Sequence, residues 1–136
     1  NEDLYFSLNK LGFLYDSSQR ARKRRDVFQP HLRGEVVVFP MNCGEQDDVL
    51  YKFGPQYVIN AWCQWFNWAC QATYETGESY FVLMSHPCVI GKAGYTATLK
   101  TMLKYLNSMS QYVDVKYQTG SEAATEYKQK IKKVET

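Results

Sequence analysis

Few side chains in this sequence can move a proton, hold a metal or attack a carbonyl: two histidines, four cysteines and scattered carboxylates. His86 is distinguished by its setting. It follows Tyr80-Phe81-Val82-Leu83-Met84-Ser85 and precedes Pro87-Cys88-Val89-Ile90-Gly91. An apolar, strand-forming run that stops at Ser-His-Pro reads as a buried parallel strand ending at a loop. Ligands of α/β proteins bind beyond the carboxyl ends of the strands. A histidine delivered there, with an intrinsic pKa near neutrality, suits an acid, a base or a metal ligand. The position equally suits a histidine that only caps the strand and bonds nearby backbone. Asp16, in Asp16-Ser17-Ser18 after Phe13-Leu14-Tyr15, is a second polar tip past a short strand. Residues 41–54 form a polar loop with Glu45, Asp47 and Asp48, following the apolar Val36-Val37-Val38-Phe39-Pro40. A long loop after a strand is a place for substrate contacts.

The cysteines and the basic run point elsewhere. Cys63 and Cys70 sit seven residues apart on an expected helix, about 10 Å along its axis and too far for a mutual bridge. Cys43 and Cys88 are isolated, and no Cys-x-x-Cys occurs, so buried free thiols are expected rather than a zinc knuckle or a disulfide scaffold. Residues 20–25, Arg-Ala-Arg-Lys-Arg-Arg, put five cations in six positions, which suits a nucleic acid, a phosphoinositide or a trypsin-like protease as well as a solvated loop. No aromatic side chain interleaves with them as a base-stacking platform requires. With sixteen basic residues against fourteen acidic ones the net charge is only +2, which gives no global field for nucleic acid or an anionic membrane. The longest apolar segments are strand-length, well short of the roughly 20 residues of a membrane helix.

The elements that would position these groups follow from hydrophobic periodicity. A composition 45% hydrophobic and 15% aromatic over 136 residues is that of one folded domain spanning 1–136. Leu4, Leu8 and Leu11 predict a helix stopped by Gly12, then a strand over 13–16. A strand over 35–39 is stopped by Pro40. Residues 57–74 lack proline and glycine and place Val58, Ala61, Trp62, Trp65, Ala69 and Ala72 on one stripe, a core-packing helix more readily than a sugar platform. After the 80–91 strand, Leu99, Met102, Leu103 and Leu106 predict another helix, and 112–117 a short strand. Thr119 and Glu122 make a capping box that opens a last helix with Ala123, Tyr127, Ile131 and Val134 inward. The pattern is α/β, with about four short parallel strands alternating with helices, about half the length of a closed (β/α) barrel.

Taken in order, Leu11-Gly12-Phe13-Leu14-Tyr15-Asp16-Ser17-Ser18, Val36-Val37-Val38-Phe39-Pro40, Asp47-Asp48-Val49-Leu50-Tyr51-Lys52-Phe53, and Phe81-Val82-Leu83-Met84-Ser85-His86-Pro87 with Val89-Ile90-Gly91 resemble the C-terminal half of a NodB-type polysaccharide deacetylase. The branch is the one that holds peptidoglycan deacetylases and cofactor-independent allantoinases. The resemblance spans about residues 4–127. It implies the C-terminal half of a deformed (β/α)7 barrel and a metal-dependent hydrolase that removes acetyl groups from N-acetylated sugars or cleaves a related amide. A divalent metal, usually zinc, would activate water and polarise the carbonyl. By position, His86 matches the general acid that protonates the leaving amine and Asp16 an acidic residue near the site. Asp47, Asp48, Tyr51 and Pro87 match substrate-facing positions. The N-terminal Asp-Asp pair and the His-x-x-x-His motif that supply the family's base and metal ligands have no counterpart upstream in this sequence, whose only histidines are His31 and His86. The resemblance therefore places no metal ligand in these residues and implies a partner, the N-terminal half of the same barrel, as a second chain or a precursor segment. A homo-oligomer is a further option. Cys88 stands where a glutamine is common.

A non-catalytic scaffold that binds carbohydrate or a protein through aromatic surface is the alternative, and nucleic-acid binding through residues 20–25 a third. The first residues show no basic region followed by an apolar run, so no signal peptide is visible. An intracellular setting is the expectation.

Overall fold

Three consecutive valines, β-branched and apolar on both faces, nucleate the only sheet found among the described residues. In the computed structural model these residues, Val36–Val38, are fully buried. Described are residues 2–19, 28–42, 52–91 and 95–134. The chain divides into two compact units, Asn1–Pro40 with Tyr117–Thr136, and Met41–Lys116.

In the first unit, α1 (Glu2–Lys10) leads into β1 (Tyr15–Asp16), β2 (His31–Arg33) and β3 (Val36–Val38), and α5 (Gly120–Val134) closes it. Helix α1 stops as its sequence predicts. Gly12 takes φ 74, its N–H bonds Asn9 O, and Phe13 N–H returns to Leu8 O, the left-handed stop that glycine makes without strain. Strand order is β1-β3-β2. β1 runs parallel to β3, with Tyr15 opposite Val37 and Asp16 opposite Val38, while β2 runs antiparallel, with Arg33 opposite Val36. The β2–β3 turn is Gly34-Glu35, with Gly34 at φ 62, the positive φ that a two-residue hairpin needs. Val36 and Val38 face Tyr5 and Leu8 of α1. Val37, on the opposite face by the two-residue alternation, is equally buried. Helix α5 packs against β1 and β3, and Gly120 lies against the Tyr15 ring so closely that a methyl group there would overlap it.

The capping box that opens α5 is present. Glu122 Oε2 accepts from the Thr119 N–H at 2.7 Å and from its hydroxyl at 2.9 Å, and Glu122 N–H donates back to Thr119 Oγ1 at 3.3 Å. Ala123 is buried as expected and Tyr127 and Ile131 are half-buried, but Val134 is 87% exposed and Ala124, not expected inward, is buried. The buried face rotates toward consecutive alanines at the start of the helix, where small side chains permit close approach.

In the second unit, α2 (Pro55–Thr76), α3 (Pro87–Ile90) and α4 (Thr96–Met109) bury one cluster: Val58, Trp62 and Phe66 from α2, Val89 from α3, Met102 and Leu106 from α4. The α2 stripe Val58, Trp62, Phe66 and Ala69 is the 3.6-residue repeat. The buried face of α2 therefore keeps Val58, Trp62 and Ala69 from the expected stripe, adds Phe66, and leaves Ala61, Trp65 and Ala72 half-buried. Gly77, at φ 90, ends α2 with its N–H on Thr73 O.

The expected half-barrel of four parallel strands is not what forms. The sheet has three strands, one parallel pair and one antiparallel pair, and β2 and its hairpin were not expected. Residues 80–85, expected as a buried parallel strand, are half-buried chain with a single bridge residue at Leu83. The side chain of Asn42 takes the place of a neighbouring strand there. Its Nδ2 donates to Tyr80 O at 2.7 Å and its Oδ1 accepts from Val82 N–H at 2.9 Å, so one buried amide satisfies both backbone groups. Residues 112–117 are likewise no strand. Val113 and Val115 alternate inward, as a strand's would, but against the helical core. Without four parallel strands there is no (β/α)7 half-barrel, and the deformed-barrel architecture is set aside.

Candidate functional site

His86 is exposed and forms the N-cap of α3, at φ −102 and ψ 124. Its carbonyl accepts from Val89 N–H at 2.9 Å. Pro87 supplies the first helical position, where its missing N–H costs nothing, and Val89 is the buried anchor that fixes the turn. Gly91 closes it with its N–H on Pro87 O at 2.8 Å, and a Cβ at Gly91 would stand 2.6 Å from that oxygen. The sequence His86-Pro87-Cys88-Val89-Ile90-Gly91 thus builds a short anchored turn with the imidazole, Pro87 and Cys88 all exposed. An exposed histidine at the start of a hydrogen-bonded turn suits proton transfer to a bound ligand.

Asp16 sits at the end of β1 in the first unit. Its Oδ2 accepts from Tyr5 Oη at 2.6 Å and its Oδ1 from Ser18 N–H at 3.0 Å, an Asx turn. Burial alone would raise this carboxyl, but the hydrogen bonds from Tyr5, Ser18 and Ser17 prevail and hold it below its ordinary value. Burial, with the Asp16 hydrogen bond, pushes the Tyr5 phenol up to about 12. The pair is a clamp between α1 and β1. Asp16 therefore belongs to one unit and His86 with Pro87 to the other, while Asp47, Asp48 and Tyr51 lie outside the described residues, as do Glu45, Cys43 and residues 20–25. Sequence reasoning missed Tyr5, whose signal was its place on the same face of α1 as Leu8.

An open concavity of ≈ 420 Å³ in the first unit is lined by Glu2, Tyr5, Phe6, Asn9, Gln19, Arg33 and Gly34. The Arg33 guanidinium stands over the Tyr5 ring, 5.9 Å from its centroid. Asn9 is fully engaged there: its Nδ2 donates to Tyr5 O and Arg33 O, and its Oδ1 accepts from Glu35 N–H at 2.6 Å.

Among the described residues no three of His, Cys, Asp or Glu converge as a metal site would need. The described donors therefore do not fit the divalent metal that the resemblance implies. Cys63, Cys70 and Cys88 are free. Burial raises the Cys63 and Cys70 thiols, which keeps them protonated and unreactive. Comparisons of the chain with protein-family models, curated proteins and solved structures return no match.

Proposed function

We propose that this chain contributes the proton-donating side of a hydrolytic site that cleaves an N-acyl amide, with an N-acetylated sugar as the leading substrate. In this reading the metal ligands and the general base belong to a complementing segment. The chain's own part is to hold His86 where it protonates the departing amine and to present substrate-facing residues around it. The observation that carries the reading is the accessible His86 imidazole on an anchored Pro87–Ile90 turn, together with the ordered motif series. Asp16, in the other unit and with its oxygens engaged by Tyr5 and Ser18, is given no step in this reading.

The test is deacetylation of an N-acetylglucosamine oligomer by the whole protein with its complementing segment, comparing wild type with His86→Ala and His86→Gln and measuring metal content in parallel. Loss of a general acid lowers turnover by about 10²-fold or more, with metal content unchanged. Turnover within a few-fold of wild type in both variants would remove the assignment.

A further inference from the structure

Helix α2 carries two unlike faces. The inner one is the buried stripe Val58, Trp62, Phe66 and Ala69. On the opposite side Gln56, Asn60, Gln64, Asn67 and Gln71 recur at helical spacing, all exposed, and at about 100° per residue they share one stripe. No charged residue occurs between Pro55 and Tyr74. By contrast α4 exposes Lys100 and Lys104, and α5 exposes Glu122, Lys130, Lys132 and Lys133. A solvated helix face ordinarily carries charge, whereas the centre of a protein interface is depleted of it. Aromatic rings stand at both ends of the amide stripe. Phe53 and Tyr57, stacked with centroids 4.9 Å apart, are 56% and 52% exposed at the amino end, and Tyr74 is 93% exposed at the carboxyl end. Next to these rings come Lys52 and Glu75, both exposed.

The stripe has the same order of residue types from either end. Lys52 mirrors Glu75, Phe53 mirrors Tyr74, Gln56 mirrors Gln71 and Asn60 mirrors Asn67, about a centre between Cys63 and Gln64. We propose that this face of α2 is the contact with a second copy of the chain, the two helices lying antiparallel across a two-fold axis at Gln64. A two-fold contact is isologous, so each residue meets the mirror position of the second copy. Each end then sets the Lys52 ammonium against the Glu75 carboxylate of the second copy, twice in the dimer, whereas a parallel pairing would oppose like charges. Along the middle, carboxamides suit positions where a residue meets its own kind, because each carries both donors and an acceptor. Their bonds within one chain use only part of that capacity. Gln56 Nε2 donates to Asn60 Oδ1 at 2.9 Å, Gln71 Nε2 to Glu75 Oε1 at 3.2 Å, and Tyr105 Oη to Asn67 Oδ1 at 2.5 Å. The rim of the Phe53–Tyr57 pair, not its faces, meets the Tyr74 ring of the second copy edge to face. A stripe about 30 Å long and one helix wide is at the small, reversible end of protein interfaces.

Sedimentation equilibrium of the full chain, from about 1 to 500 µM, should show a reversible monomer–dimer equilibrium with a dissociation constant of about 10–100 µM. Gln64→Lys and Gln64→Glu each place like charges at the axis and should weaken association by about tenfold or more. Both should melt cooperatively as the wild type does, since the position is exposed. Mixed one to one, the two variants should associate at least as tightly as wild type, because each then faces the opposite charge. Lys52→Glu should weaken the dimer by about threefold, and Lys52→Glu combined with Glu75→Lys should restore it. Tyr112→Ala, which removes a 77% exposed ring outside α2, should leave the equilibrium unchanged. A monomer throughout that range, a dimer indifferent to both Gln64 variants, or a mixture no tighter than either variant alone each overturns the two-fold contact. A dimer that Lys52→Glu weakens and the double exchange does not restore overturns the antiparallel register.

Discussion

The two units reach order by different physics. In the second, a long helix presents Val58, Trp62 and Phe66 to Met102 and Leu106, and Phe66 meets Phe81 and Tyr105 edge to face at 5.4 and 6.1 Å. Shape and apolar area do most of the work there, and Asn42 is the main polar pin. The first unit buries mostly smaller side chains, three valines with Ala123 and Ala124, beside Tyr5, Phe28 and Phe39. Its hairpin is fastened by polar contacts of fixed geometry: Asn9 on the β2–β3 turn, Tyr5 on Asp16, Tyr127 Oη on Pro30 O at 2.8 Å. Large changes of volume should therefore hurt the second unit most, and loss of single polar atoms or of one glycine should hurt the first out of proportion to the area removed.

The largest effect expected is Trp62→Ala. Trp62 is fully buried, and emptying its site costs about 3–5 kcal/mol through lost transfer energy and a residual cavity. Urea denaturation followed by hydrogen exchange at α2 and α4 amides measures it. A cost under about 1 kcal/mol would mean that the stripe is not the core. Next is Asn42→Ala, about 2–3 kcal/mol, because two buried hydrogen bonds that fix residues 80 and 82 vanish together. Asn42→Asp should do no better, since a carboxylate accepts from Val82 but cannot donate to Tyr80 O. Faster exchange of the Val82 amide in both variants is the specific readout.

Gly34→Ala comes third, at about 2 kcal/mol. A left-handed φ of 62 strains any residue with a Cβ, and that Cβ would stand 2.7 Å from Asn9 Nδ2. The two causes separate in an Asn9→Ala background. There the steric part of the penalty disappears and the backbone part stays, so the pair should be non-additive. Additive costs would show that Asn9 yields freely and is no clamp.

These polar fasteners also explain what the sequence made legible. Helices declare themselves locally, through the 3.6-residue stripe of α2, the Gly12 stop and the Thr119–Glu122 box, because each signal lies within a few residues. The sheet does not. β2 follows a basic run without alternation, and its partner is chosen by a glycine turn that Asn9 of α1 holds from 24 and 26 residues away. The apolar run before His86 looks like a strand because its side chains suit one. Its backbone groups, however, go to an amide 38 and 40 residues upstream, a pairing that periodicity cannot encode. For the candidate site, the Pro87 helix start and the polar break at His86 were readable. The Tyr5–Asp16 bond and the Phe53–Tyr57 stack were not, since both need a turn geometry fixed by a single residue between them or by a helix end.

The smallest effect, and the sharpest probe of polar fastening, is Tyr5→Phe, about 1.5 kcal/mol near neutrality for a hydrogen bond to a charged acceptor. Its pH dependence carries more than its size. Asp16 has a lowered carboxyl in the folded state. The stability it contributes is present above the unfolded value of about 4 and is lost as pH falls through the lower folded value. Tyr5 is raised from 10.0 to about 12, so its contribution is complete below the unfolded value and disappears as pH climbs through the folded one. One bond thus sets an acid edge and an alkaline edge. Tyr5→Phe removes the alkaline edge that this phenol produces and shrinks the acid edge, because Tyr5 is the leading hydrogen bond that lowers Asp16. Asp16→Asn should remove the acid edge while leaving a weaker alkaline one, since burial still raises the phenol. Denaturation midpoints of the three proteins across the acid and alkaline limbs decide the matter. An unchanged acid edge in Tyr5→Phe would mean that the Ser17-Ser18 turn alone holds the carboxylate, and the first unit would then owe its order to turns and apolar packing, as the second does.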